Sequence, residues 1–159
     1  VYLLLSHQFK NNKVSFNKDV SKQVPLIFVD ENQIEQVLMN IFLNAVQAMP
    51  GGGVISVSAN TNVIYKEEKT GLGESRIKGT TDGKEPVVYV EINDTGSGIS
   101  KENLERIFTP FFSTKKEGIG LGLSICRQLM LKNNGEIDIM SEEGRGSTVI
   151  LTLPASLNC

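Results

Sequence analysis

A carboxylate followed by two glycines carries the most chemical information in this chain. Residues 92–99 read Ile-Asn-Asp-Thr-Gly-Ser-Gly-Ile, and the residues just before them are mostly β-branched. In a strand, alternate residues from Val88 to Asp94 point to one face, so Asp94 lies at the end of an apolar face. A half-buried carboxylate there needs strong donors, such as an exocyclic amine and an ordered water. Adenine offers that amine, although an ordinary Asp turn at the end of a strand explains the same residues.

A stripe of amide side chains follows one side of a predicted helix. Asn40 and Asn44 are one turn apart on that helix. Asparagine is a poor helix former, and carboxylates or lysines are the more usual surface residues. Two stacked amides can offer oxygens to Mg²⁺, which often shares oxygen ligands with phosphates. A solvated helix face is the alternative for the full stripe, which comprises Gln33, Gln36, Asn40, Asn44 and Gln47.

An aromatic segment with two lysines lies outside any predicted helix or strand. Residues 108–116 read Phe-Thr-Pro-Phe-Phe-Ser-Thr-Lys-Lys. Three aromatic rings in five residues need an apolar surface to rest on, so we expect Phe108, Phe111 and Phe112 to anchor this loop to the core. The segment is then either a pinned loop or a lid whose lysines move toward a phosphate, and these interpretations are compatible.

Two glycine-rich segments complete the set. Residues 118–123, Gly-Ile-Gly-Leu-Gly-Leu, lead into a helix, where backbone N–H groups and the helix N-terminus favour an anion. They match neither a P-loop nor the dinucleotide fingerprint. In 144–148, Gly-Arg-Gly-Ser-Thr, the hydroxyl of Ser147 is predicted to point inward, where it could help Asp94 and a water hold adenine. A plain glycine hairpin explains these residues equally well.

The elements that must position these residues alternate between strand and helix patterns. Asp30 and Gln33 form a predicted capping box for the long helix. A polar, aperiodic stretch over 66–86 is expected to be a long hairpin connection. We predict an α/β (α+β) two-layer sandwich, a mixed sheet packed on three helices. The predicted strands cover residues 14–20, 26–29, 54–59 (extending to 65), 87–93, 136–140 and 147–153. The predicted helices run from Asp30 to Pro50, over 101–107 and over 120–134, and Gly135 is expected to end the last of them.

Composition limits the class of protein. The chain has 159 residues, 40% of them hydrophobic, and a net charge of −2, which suits one domain and gives no reason to expect nucleic-acid binding. No apolar run reaches the length of a membrane span, so we expect no membrane contact. Cys126 and Cys159 match no metal spacing, and Cys126 is expected to pack as a small apolar residue. The chain is predicted to be cytoplasmic, with a membrane anchor elsewhere in a parent protein left open.

Taken in order, these segments resemble the ATP-binding catalytic domain of bacterial sensor histidine kinases. This family shares the GHKL nucleotide fold with gyrase, the ninety-kilodalton heat-shock chaperones and mismatch-repair ATPases. The resemblance spans residues 30–154 and rests on residues 36–45, 94–99, 108–115, 118–123 and 144–147. Residues 44–50 and 109–115 look most like the nitrogen-regulation-type subgroup.

The resemblance implies a site for ATP and Mg²⁺. Asn44, assisted by Asn40, would hold Mg²⁺, and Asp94 would read the adenine amine. Asn40, Asn44 and Lys115 would act in catalysis, with Lys115 on the phosphates from a mobile ATP lid. The full set of implied nucleotide contacts is Asn44, Gln47, Ala48, Asp94, Gly96, Gly98, Ile99, Phe111, Lys115, Gly118, Ile119, Gly120, Leu121, Gly122, Leu123 and Ser147.

Two positions bear on the reaction. Where gyrase-like ATPases carry a water-activating Glu, this chain has Asn40, an amide that cannot act as a general base. We therefore expect slow hydrolysis, with the γ-phosphoryl passed to an imidazole instead. Many sensor kinases carry Lys or Arg three residues after the magnesium Asn, whereas this chain has Gln47, which shifts phosphate contacts to Lys115.

The phosphorylated histidine is expected outside this chain. His7 lies too close to the Asn40–Asn44 helix for the family's pattern and is interpreted as a linker residue. We expect residues 1–12 to be a remnant of a linker or dimerisation helix and residues 13–159 to be the catalytic domain, mainly monomeric in isolation. The implied partners are the parent's histidine-bearing dimerisation domain and, through the full-length kinase, a response regulator. The alternatives are an anti-sigma-type serine kinase and a nucleotide-sensing docking module without catalysis.

Overall fold

The fold is a mixed sheet with helices packed on one face. In a computed structural model, the described residues are 1–21, 23–65, 67–69, 75–77, 84–115 and 118–155, with the backbone alone described at the included positions between 63 and 85. Within these ranges five strands form one sheet in the order β1-β2-β5-β7-β6. β1 and β2 are parallel, and the other neighbouring pairs are antiparallel. The predicted fold class is confirmed.

The elements keep the predicted order, with some different boundaries. The helices are α1 (Tyr2–Asn11), α2 (Glu31–Ala48), α3 (Lys101–Leu104) and α4 (Gly122–Lys132). The strands are β1 (Val14–Val20), β2 (Gly53–Tyr65), β3 (Glu67–Lys69), β4 (Ser75–Ile77), β5 (Lys84–Asp94), β6 (Glu136–Glu142) and β7 (Gly146–Pro154). Within the described ranges, no helix combines the length and apolarity needed to span a bilayer.

The start of α2 shows how a short motif positions the longest helix. Asp30 is the N-cap, and its Oδ1 accepts from the backbone N–H of Gln33 at 3.0 Å. In a capping box the Gln33 side chain would accept from the Asp30 N–H. Here the Asp30 N–H donates to Asn133 Oδ1 at 2.7 Å instead, and Gln33 Nε2 donates to Asp30 Oδ2 at 3.1 Å. The cap therefore fixes the start of α2 and also ties it to the end of α4.

Three boundary predictions are wrong. Residues 26–29 form no strand: within this segment Ile27 makes an isolated bridge to Ala155, and Leu26 and Phe28 are exposed. The helix predicted over 101–107 is α3, and it ends at Leu104. The helix predicted from residue 120 is α4, and it begins at Gly122. Ile27 pairs at a single position, which is too little for a strand. The residues after Leu104 form turns instead of helix, since the Arg106 N–H donates to the Asn103 carbonyl at 2.9 Å and the Thr109 N–H to the Arg106 carbonyl at 2.8 Å.

The 66–86 connection contains more structure than its sequence suggests. β3 pairs with β4 in a short antiparallel ladder, and residues 84–86 belong to β5. The rest of this prediction, over residues 66, 70–74 and 78–83, lies outside the described residues.

The end of α4 depends on two neighbouring residues. Asn134 adopts the left-handed conformation, with φ of 54°, and the Gly135 N–H donates to the Met130 carbonyl at 2.9 Å. Gly135 is required for space, because a Cβ there would lie 2.6 Å from the Thr152 carbonyl oxygen. The helix therefore ends at Lys132 and not at the predicted residue 134, Asn134 takes the left-handed position predicted for Gly135, and Gly135 is needed for its close approach to β7.

An aromatic cluster joins α1 to the rest of the core. Phe9 is buried and stacks on Phe16 of β1, with ring centroids 5.7 Å apart, and both rings meet the edge of Phe42 of α2. Leu5 is also buried in this core. α1 ends at Asn11, beside the predicted boundary at residue 12, and the division into a linker remnant and a catalytic domain stays a prediction.

Replacing Leu151 with Ala is expected to destabilise the fold strongly. Leu151 lies in the middle of β7 and is 1% exposed, so its truncation leaves a cavity that costs about 2–5 kcal/mol of unfolding free energy. Leu3→Ala is the matched control, because Leu3 is 83% exposed and should change stability by less than about 0.5 kcal/mol. Urea denaturation of both variants measures the difference, and equal values would contradict this assignment of the core.

Candidate functional site

One large cavity lies between α2, the 96–99 turn and the loop that precedes α4. Its volume is about 690 Å³, within the range of small-molecule sites. The cavity brings together segments that are more than a hundred positions apart in the chain. Fourteen of the sixteen residues predicted to contact a nucleotide line it: Asn44, Gln47, Ala48, Asp94, Gly98, Ile99, Lys115, Gly118, Ile119, Gly120, Leu121, Gly122, Leu123 and Ser147.

Asp94 is the buried carboxylate at one end of this cavity. It is the last residue of β5 and is 7% exposed, next to the fully buried Ile92. The Gly96 N–H donates to Asp94 Oδ1 at 2.8 Å. Burial raises the pKa of Asp94 above its ordinary value, while hydrogen bonds from the backbone N–H groups of Gly96 and Ser147 act in the opposite direction. The predicted position of Asp94 at the end of an apolar face is confirmed.

The turn after Asp94 is held on two sides. The Ser97 N–H donates to the Ala48 carbonyl at 3.0 Å, at the end of α2, and the Gly144 N–H donates to the Ser97 carbonyl at 2.7 Å. Gly98 has φ of +67°, and a Cβ there would lie 2.0 Å from the Glu142 carbonyl oxygen. Gly98 is therefore required by both its conformation and its close contact with β6.

Gly96 contacts the Asp94 carboxylate and does not line the cavity. A Cβ at this position would lie 2.7 Å from both Asp94 Oδ1 and the Ala48 Cβ. The prediction of a direct nucleotide contact by Gly96 has no support in the cavity. Its N–H holds Asp94 in place instead.

The amide stripe of α2 serves two different purposes. Gln36, Asn40, Asn44 and Gln47 line the cavity. Gln33 does not, because its Oε1 accepts from Asn133 Nδ2 at 3.0 Å in the packing of α2 on α4. The helix rises about 1.5 Å per residue, so Asn40 and Ala48 are about 12 Å apart along the cavity, with Ala48 at the Asp94 end.

Asn40 lies against the start of α4. A Cβ on Gly122 would lie 3.5 Å from Asn40 Oδ1, and the Asn40 side chain also hydrogen-bonds with the thiol of Cys126. Cys126 is fully buried, as predicted, and burial raises its pKa to about 11. The amide of Asn40 is thus positioned beside the N-terminus of α4, where backbone N–H groups favour an anion.

Lys115 reaches across the cavity to α2. Its Nζ donates to Asn44 Oδ1 at 3.0 Å and to Gln47 Oε1 at 2.5 Å. Burial against these groups lowers the pKa of Lys115. This contact brings a loop lysine onto the same amide oxygen that was predicted to hold a metal.

The aromatic anchors differ from the prediction at one position. Phe108 packs against the core, and Phe112 lies under the Arg106 guanidinium, 4.5 Å from its ring centroid. Phe111 is 74% exposed with φ of 64° and does not line the cavity, whereas Phe112 does. The prediction that Phe111 anchors the loop is wrong, because the turn directs its ring outward, while its contact with the nucleotide stays a prediction.

Several cavity residues were not predicted from sequence. Asn103 and Ile107 of the segment around α3 form part of the wall, and Ile139 and Val149 of β6 and β7 form part of the floor. The strand residues carry an ordinary core pattern, so only their neighbours in space distinguish them from the rest of the core. Asn103 had no signal in its own segment.

Comparison with known proteins supports the class of protein that this fold and cavity define, a nucleotide-binding domain. Residues 29–157 match the family described as histidine kinase-, DNA gyrase B- and HSP90-like ATPase. The chain belongs to this family. Its relatives include the sensor histidine kinase ZraS of Escherichia coli K12, 34% identical over 97% of this chain, and sporulation kinase C of Bacillus subtilis 168, 35% identical over 79%. The chain spans 28% and 24% of the lengths of these relatives.

Solved structures agree with this assignment. The catalytic domain of histidine kinase ThkA matches with a TM-score of 0.72 and 27% identity, covering 97% of this chain and 88% of that domain. ThkA in complex with the response regulator TrrA matches with a TM-score of 0.68 and 25% identity, covering 98% of this chain and 38% of ThkA. The predicted histidine-kinase type of fold is confirmed, while the nitrogen-regulation-type subgroup stays a prediction.

Proposed function

We propose that this chain binds MgATP and transfers its γ-phosphoryl group to a histidine of a dimerisation domain outside the chain, in two-component signalling. The observation that carries the proposal is the division of the cavity. A buried carboxylate, Asp94, occupies one end, while amides, a lysine and the glycine-rich segment 118–122 surround the other.

The Asp94 end suits an adenine base. Its ionised carboxylate accepts hydrogen bonds only, so it matches an exocyclic amine. Ile99 and the fully buried Ile92 offer apolar surface beside it. A base that lacks a donor here would leave a buried carboxylate without a partner, which is costly.

The opposite end suits phosphates and Mg²⁺. Across the described part of the chain, no cluster of three or more His, Cys, Asp or Glu side chains could hold a metal ion, so the metal ligands would come from amide and phosphate oxygens. Asn44 Oδ1 already faces a cation, the Lys115 ammonium, at 3.0 Å. Asn44, assisted by Asn40, would hold Mg²⁺, which neutralises phosphate charge when bound. Lys115 would then leave Asn44 and contact the phosphates.

The side chains at this end favour transfer over hydrolysis. Among the described residues that line the cavity, Asp94 is the one carboxylate, and it lies at the base end. Asn40 cannot deprotonate water. Phosphoryl transfer depends mainly on positioning and charge neutralisation, so the chain can present ATP to an imidazole nitrogen. That nitrogen forms the new P–N bond as the bond between the γ-phosphorus and the β–γ bridging oxygen breaks, and ADP leaves.

A transfer assay tests the proposal directly. The purified chain is mixed with radiolabelled MgATP and the histidine-bearing dimerisation domain of its parent protein, with a His→Ala version of that domain as control. We expect an acid-labile label on the domain with its histidine and no label on the His→Ala version. Absence of transfer despite measurable ATP binding would favour the docking-module alternative, and acid-stable label on a hydroxyl would favour the serine-kinase alternative. In the parent, a response regulator is the proposed recipient of the phosphoryl group.

Lys115→Met is expected to weaken the binding of ATP about ten-fold. The substitution keeps an unbranched side chain only one atom shorter but removes a charge-assisted hydrogen bond to phosphate, which contributes about 1.5 kcal/mol. Adenosine has no phosphate, so its affinity should not change. Calorimetric titration of both ligands measures this difference, with Lys18→Met on the exposed end of β1 as control. Equal losses for ATP and adenosine would show that Lys115 supports the fold and not the phosphates.

A further inference from the structure

A row of three polar side chains crosses the sheet at the base end of the cavity. Asp94 of β5 lies opposite Ser147 of β7, and Ser147 lies opposite Ser141 of β6. Directly opposed residues of antiparallel strands point to the same face of the sheet. Asp94 and Ser147 line the cavity, whereas Ser141, on the side of Ser147 away from Asp94, does not. Ser141 can therefore influence a ligand only through its neighbours.

Ser141 makes three hydrogen bonds with its single hydroxyl group. Its Oγ accepts from the Ile99 N–H at 2.8 Å. The same Oγ lies 2.8 Å from the Gly146 carbonyl oxygen and 2.9 Å from Ser147 Oγ. Ile99 belongs to the turn after Asp94, so this one hydroxyl joins that turn to the start of β7.

When all three bonds form at once, the count of protons gives the direction of each bond. A hydroxyl has one proton to donate and two lone pairs to accept with. The Gly146 carbonyl can only accept, so the proton of Ser141 points there, and the Ile99 N–H can only donate. The bond between the two serines must then use the proton of Ser147. Ser147 Oγ is left with lone pairs alone toward the cavity.

We propose that Ser141 determines base specificity by occupying the proton of Ser147, which leaves both Asp94 and Ser147 as hydrogen-bond acceptors toward the base. This inference rests on the proposed function. Asp94 and Ser147 then both require donors from the ligand, directly or through a water. A 6-aminopurine supplies two N–H donors, whereas a 6-oxopurine presents an oxygen lone pair to two acceptors. Ser141 is a positioning residue, since it contacts no ligand itself.

Comparison of ADP with IDP tests this role, because the two purines differ in the 6-substituent, an amine in ADP and an oxygen in IDP, and in N1, which accepts in ADP and donates in IDP. Dissociation constants are measured by calorimetry for the unmodified chain and for Ser141→Ala. In the variant the Ser147 hydroxyl is free to turn and donate, so we expect the ratio of the IDP constant to the ADP constant to fall roughly three- to ten-fold. Ser141→Thr keeps the hydroxyl and should keep the ratio.

A second variant controls for the possibility that Ser141→Ala does not fold. Ser141→Cys has nearly the same shape but a weak donor and acceptor, so its ratio should fall in the same direction as that of Ser141→Ala. Equal losses of ADP and IDP affinity in the Ala and Cys variants, with an unchanged ratio, would overturn the inference. If the unmodified chain binds neither nucleotide, the proposed function itself fails, which is a separate result.

Discussion

Asp94→Asn should weaken the binding of ATP by about 2–3 kcal/mol, or roughly 30- to 150-fold. The substitution keeps the size of a side chain that is 7% exposed, but it replaces an acceptor with an amide. The Gly96 N–H bond to Oδ1 occupies the position of one oxygen, so the amide nitrogen would take the other and meet the donor of an adenine amine. Calorimetric titration with a non-hydrolysable ATP analogue measures the loss.

Asp138→Asn provides a matched control for this change. Asp138 lies exposed on β6, and the same chemical substitution there should leave the affinity unchanged. Melting temperatures of both variants show whether the fold is retained. Nucleotide affinity that survives Asp94→Asn in a folded protein would remove the basis for adenine recognition at this end of the cavity.

The raised pKa of Asp94 gives the same hypothesis a pH dependence. Because burial raises this pKa, the carboxylate takes up its proton at a higher pH than an exposed Asp, whose pKa is about 3.9. The protonated group donates as well as accepts, so ATP affinity should fall as the pH drops through that raised pKa. In Asp94→Asn the remaining weak binding should lack this step, and titrations at several pH values check both proteins.

Asn44→Ala is expected to remove the dependence of ATP binding on Mg²⁺. In the unmodified chain, Mg²⁺ should strengthen binding of a non-hydrolysable ATP analogue, because under the proposed function Asn44 would hold the metal, which would neutralise phosphate charge. Loss of a residue that only hydrogen-bonds to a metal ligand typically lowers metal affinity about 10- to 100-fold. Removal of a ligand itself should therefore lower metal affinity by at least that factor. Titrations with Mg²⁺ and with a chelator measure the effect.

The control separates metal binding from a general loss of structure. Asn17→Ala removes an amide from the exposed face of the edge strand β1 and should retain the full response to Mg²⁺. Affinity without Mg²⁺ should change little in Asn44→Ala, since Lys115 loses one partner but keeps Gln47. A normal response to Mg²⁺ in Asn44→Ala would assign the metal to other oxygens.

The local parts of this site could be predicted from sequence. The alternation through β5 places Asp94 at the end of a buried face, and the helical period of α2 places Asn40 and Asn44 on one side. Both patterns depend on backbone geometry within a single element. The cap at Asp30 and the glycine turn at Gly98 follow from local chemistry in the same way.

The edges of elements and the directions of loop side chains could not be predicted as well. Residues 26–29 form a short apolar run that is typical of a strand, but a strand exists only where a partner supplies a continuous ladder, and within this segment Ile27 pairs at a single position. Phe111 and Phe112 are adjacent and chemically alike, yet a positive φ turns Phe111 outward while Phe112 lies in the cavity wall.

The sequence by itself determined the class of site, because strand alternation, helix period and turn glycines specify which residues an element offers to one face. Only the tertiary structure decided how those residues are used. It diverted Gln33 to Asn133, placed the Lys115 ammonium on Asn44, and set the hydroxyl of Ser141 beside Ser147. These contacts join residues on different elements, up to a hundred positions apart, and their geometry comes from the packing of helices and sheet, which no local pattern encodes.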